Sequence, residues 1–208
     1  MVQGSDDVRT PVPSTTAIAG YTYGTDDVPR SPVSLDELDL LKQTALFGPE
    51  DELWLRRAGE ILDDQAEALV DYWRGIVAAQ PHLAIYSAGR DGEANPAYGA
   101  ASKPRFVQWV RDVCRRPYDQ AWLDYQHEIG LRHTRLKKNR TDGVESAPHI
   151  PLRYLLAFTA VVVTTTKPFL AARGHPAAEV ERMHDAWCKA VMLHATLWTR
   201  PYATPEDW

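Results

Sequence analysis

The chain has 208 residues, 44% of them hydrophobic and 25% charged, enough to bury the core of one compact domain. A net charge of −5 argues against nucleic acid or an anionic membrane as its partner. Its cysteines, Cys114 and Cys188, lack CxxC spacing, which argues against a disulfide framework, a structural zinc site or an iron–sulfur cluster.

Residues 1–17 carry Asp, Ser, Thr and Pro without an apolar h-region, so a disordered leader is expected rather than a signal peptide. No stretch of about 18 apolar residues is read in the chain, so no transmembrane helix is expected and the cytoplasm is the default compartment. Tyr21 to Ser31 reads as an extended arm. Ser34, with Glu37 three residues on, opens a short helix to about Phe47. Pro49 and the acidic residues Glu50, Asp51 and Glu52 start the next helical span, with apolar positions from Trp54 to Ile76 and a break at Asp63-Asp64. A further helix is expected from near Tyr98 to Cys114. Pro104 within it removes a backbone donor and predicts a local irregularity.

The stretch Ala121 to Arg140 carries Trp122, Tyr125 and Ile129 at helical spacing, and His133 closes that stripe. An imidazole there is either a hydrogen-bonded core group or a metal ligand, and haem iron is often held by a single histidine. Two long helices follow, from Pro151 to about Ala172 and from Pro176 to Arg200, with Gly174 as the stop between them. Within the first, Val161 to Thr166 (VVVTTT) has strand propensity and leaves helix or strand open. No output domain is read after Trp208, so sensing would require a separate partner protein.

Six segments, in order, resemble the protoglobins, single-domain haem proteins related to globin-coupled sensors. They are GYTYG from Gly20, LLKQTALF from Leu40, AGEILDDQ from Ala58, YDQAWLDYQHEIGLRHTRLKKN from Tyr118, APHIPLRYLL from Ala147 and KPFLAARGH from Lys167. The resemblance spans about residues 18–202 and tips VVVTTT to helix. It implies an all-α, globin-like fold with an additional N-terminal helix over residues 18–208, packed around haem b. It implies His133 as the proximal ligand, with O₂, CO or NO at an open sixth site. Phe106, Phe158 and Val162 match apolar residues of the gas pocket, and Trp73 matches a distal tryptophan.

Arg74 stands where the family has a tyrosine. A guanidinium brings five donors and a permanent charge in place of one neutral hydroxyl. It has three options: to face the iron, to reach a haem propionate, or to turn to solvent. Burying an unpaired charge is costly, which favours the last two. The first would instead support a haem enzyme of peroxidase-like, nitrite-reducing or NO-detoxifying type. A haem-free helical interaction module is the third class of function.

Arg105 and Arg132 are the candidates for propionate neutralisation. The basic run Arg132, Arg135, Lys137, Lys138 and Arg140 otherwise reads as a solvated helix end. His194 is the rival ligand. It shares a stripe with Trp187, Val191 and Trp198, and the resemblance instead implies a homodimer packed through the last two helices.

Overall fold

Ser34 opens the first helix with a reciprocal cap: its hydroxyl accepts from the Glu37 N–H, and the Glu37 carboxylate accepts from the Ser34 N–H. The computed structural model describes residues 17–208, so the leader expected over 1–17 falls, Ala17 apart, outside the described residues. Among the described residues the order is α1 Leu35–Thr44, α2 Pro49–Leu62, α3 Ala66–Ala78, α4 Pro81–Ala84, α5 Pro96–Arg115, α6 Gln120–Leu131, α7 Leu152–Ala171 and α8 Ala177–Thr199. A 3₁₀ turn over Arg200–Tyr202 follows, and among the described residues no strand forms beyond a single bridge between Ala88 and Ala94.

The expected break at Asp63-Asp64 separates α2 from α3. Asp63 is tied there to Arg111 and Arg115 of α5, at 3.0 and 3.1 Å. Pro104 lies inside α5, which runs through it without ending, so the carbonyl of Ala100 loses only its helical donor. VVVTTT is helical. Thr164, Thr165 and Thr166 donate to the carbonyls four residues back at 2.7 Å each, so their hydroxyls are satisfied within α7.

Several expectations are corrected. The arm from Tyr21 is not extended but a series of turns, with Thr25 and Val28 N–H groups bonded three residues back. Its tyrosines Tyr21 and Tyr23 pack edge-on against Tyr125 of α6. α7, with charges only toward its ends at Arg153 and Lys167, is long and apolar enough to cross a membrane by length and composition, a property that core helices of water-soluble proteins share. Only 28% of its apolar window is buried. α8 runs through the centre, packing on α2, α5, α6 and α7. Trp187, Val191, His194 and Trp198 are therefore core residues of their own chain, each under 9% exposed, and not a dimer surface.

Candidate functional site

Two adjoining cavities share a wall of α5 and α7: the larger, about 290 Å³, reaches α6 and α8, and the smaller, about 200 Å³, reaches α3 and α4. They share Tyr98, Ser102, His133, Ile150, Leu155 and Phe158 as walls. Phe106, Trp109, Val162, Val191 and Trp198 complete a lining that is mostly apolar, and the larger is close to the usual small-molecule range of about 300–1,000 Å³.

His133 lies just past the end of α6, in the turn that follows, rather than on the helix itself. That turn is held by three hydrogen bonds. The His133 N–H donates to Gly130 O at 3.1 Å, while its carbonyl accepts from Ile150 N at 2.9 Å and from Tyr202 Oη at 3.1 Å. Its ring stacks on Trp198 with centroids 5.9 Å apart and planes 18° from parallel. Nδ1 sits 2.8 Å from the carbonyl of Ile129, which can only accept, so Nδ1 carries the proton. Nε2 is then the lone-pair nitrogen, and no protein group among the described residues bonds to it. Burial pushes the imidazole pKa down, keeping the ring neutral. A neutral histidine oriented by a backbone carbonyl, with its other nitrogen free beside an apolar cavity, is the donor chemistry that an iron porphyrin takes.

Phe106, Phe158 and Val162 line the cavity. Trp73 does not. Its indole is fully buried one layer behind, 5.4 Å from the Phe106 ring, with Nε1 donating to Thr165 Oγ1 at 2.8 Å. Arg74 is also absent from the walls, and its Nη1 instead donates to Ser102 Oγ at 3.2 Å from the outer side.

Arg105 and Arg132 both border the cavity, and both are already paired. Arg105 holds Asp142 through two hydrogen bonds of 2.9 and 2.7 Å and donates to Ala19 O. Arg132 donates to Glu128 at 2.9 Å, to Gly20 O at 2.7 Å and to Thr22 Oγ1. Each thus clasps the N-terminal arm across the cavity and keeps two of its five N–H donors for another acceptor. Gly20 permits this closure: its φ is +71°, and a Cβ there would lie 2.8 Å from Arg105 Nη1.

The basic run is not wholly solvated. Lys138 is 2% exposed, lies over the Tyr98 ring at 5.2 Å, and its pKa is pushed down to about 8 by burial. Sequence reasoning missed Tyr98, Tyr125 and Ser102 as cavity residues. Tyr125 was legible as part of the stripe ending at His133, whereas nothing local marks Tyr98 or Ser102.

His194 is no rival for an iron in this cavity. It is fully buried outside the lining, and Trp109 Nε1 donates to its Nδ1 at 3.1 Å.

The helical architecture defines a globin fold. It superposes on the globin domain of the Geobacter sulfurreducens globin-coupled sensor with a TM-score of 0.64 and 16% identity, covering 80% of this chain and 97% of that one. A comparison with curated protein sequences finds no match. The Protoglobin family model matches residues 34–208, and the chain belongs to that family. It is therefore a haem globin of gas-binding type.

Proposed function

We propose that the protein would hold haem b through His133 Nε2 and would bind O₂, CO or NO at the haem iron. The observation that carries this reading is the pairing of Nδ1 with Ile129 O, which leaves Nε2 as a free base at an apolar cavity. The haem would supply reversible binding of a diatomic gas. This chain's residues would orient the ligating ring (Ile129, Trp198), exclude water (Phe106, Phe158, Val162) and offer unused donors to the propionates (Arg105, Arg132). Absorption spectra of the ferric, ferrous and CO-bound protein test it. One haem per chain and a shifted Soret band with CO support the reading. A colourless protein that takes up no added haem refutes it.

The haem-enzyme reading required the Arg74 guanidinium beside the iron, and its placement outside the cavity wall removes that support. We also propose a homodimer through α7 and α8, but on a different surface from the one the α8 stripe predicted. The outward side of α7 exposes Leu156, Ala157 and Ala160, and α8 adds Met192 at 47% exposure.

A further inference from the structure

A third opening, a cleft of about 670 Å³, lies between α3, α4 and the first half of α5. It shares Phe106 with the larger inner cavity and Val77 and Ser87 with the smaller one. Arg74 stands on the partition. It lines the cleft and donates to Ser102, which lines both inner cavities. Its Nη2 rests over α5 at Gly99, where a Cβ would lie only 2.9 Å away, so glycine makes room for the guanidinium.

The charges in the cleft are unequal in their pairing. Lys103 is held by Glu67 at 2.8 Å and by Asp71 at 2.9 Å. Arg74 has no carboxylate within ion-pair distance among the described residues, and one hydrogen bond to Ser102 leaves four of its N–H donors unused. A half-buried, unpaired guanidinium with a free planar fork, reachable from solvent, is a receptor for a small anion.

We propose that this cleft binds a small monovalent inorganic anion, of the nitrite or azide kind, at Arg74 and delivers it past Ser102 into the haem cavity. The anion site itself rests on the cleft alone, while delivery rests on the haem reading above. A neutral gas gains nothing from the guanidinium, so Arg74 sorts ligands by charge before they reach the iron. Attraction of this kind acts on association rates and weakens as salt rises.

Two measurements test it. Crystals of the full chain soaked in sodium bromide should show an anomalous peak at the Arg74 guanidinium within the cleft. Stopped-flow binding of azide to the ferric protein should slow about tenfold in Arg74→Gln, stay near wild type in Arg74→Lys, and lose its advantage at high salt. CO association with the ferrous protein should not change. No bromide at Arg74, or unchanged azide rates, overturns the proposal. So does an equal slowing of CO and azide, since the guanidinium would then only shape the passage. A chain that binds no haem overturns delivery together with the function proposed above, and the bromide position then decides the anion site alone.

Discussion

Nε1 of Trp109 donates to Nδ1 of His194 across 3.1 Å, joining α5 to α8 in the fully buried centre of the protein. Trp122 and Trp198 stand edge-to-face against the same imidazole at 5.1 and 5.8 Å. Burial lowers the pKa of His194 to about 3, so the ring stays neutral and its Nδ1 lone pair accepts the indole hydrogen bond.

This burial makes the fold acid-sensitive. The unfolded chain protonates His194 near its usual 6.5, whereas the folded chain resists until about 3. The unfolded state thus binds more protons between those values. The contribution is complete above pH 6.5 and falls as pH drops, by up to about 1.36 kcal/mol per pH unit for one proton. His194→Gln keeps an acceptor for Trp109 and cannot charge. Urea unfolding between pH 4.5 and 7 should show a shallower loss of stability than wild type. Equal slopes would mean that His194 charges in the folded state without cost.

Gly20 and Gly24 separate strain from collision. Both have positive φ, +71° and +73°, but only Gly20 has Arg105 within reach of an added Cβ. Gly24→Ala should cost about 1 kcal/mol from backbone strain alone. Gly20→Ala should cost more, because the arm must also leave Arg105. Thermal unfolding should place the Gly20 variant below the Gly24 variant, with about 2–4 °C for each additional kcal/mol. The reverse order would show that the arm is not clasped by Arg105.

The homodimer is tested on the outer face of α7. Leu156 is 40% exposed on that face. Sedimentation at micromolar concentration should give twice the 23.4 kDa chain mass. Leu156→Glu should shift it to the monomer without altering the haem spectrum. A wild-type monomer contradicts dimerisation, and a dimer unaffected by Leu156→Glu places the contact elsewhere.

Much of the fold was legible because its start and stop signals are local. The Ser34–Glu37 cap, Pro49, Gly174 and the proline after α8 each act within a turn of the residue they mark. His133 was legible from the stripe that precedes it. The turn that holds it was not, because its bonds come from Ile150 and Tyr202, distant in sequence. The same reason hid the pairing of Arg105 with Asp142, 37 residues away, and the position of Arg74 over Gly99. His194 was misjudged as an interface residue for a related cause. The α8 stripe looked surplus only while its partners, Trp109 on α5 and Trp122 on α6, were out of view.

The most direct test of the central claim is the absorption spectrum of His133→Ala beside His194→Ala, with and without added imidazole. His133→Ala should lose most of its haem or show an altered ferrous spectrum, and imidazole entering the vacated site should restore an imidazole-ligated one. His194→Ala should retain wild-type haem coordination. Unchanged haem content and an unchanged ferrous spectrum in His133→Ala would contradict the assignment of His133 as the iron ligand.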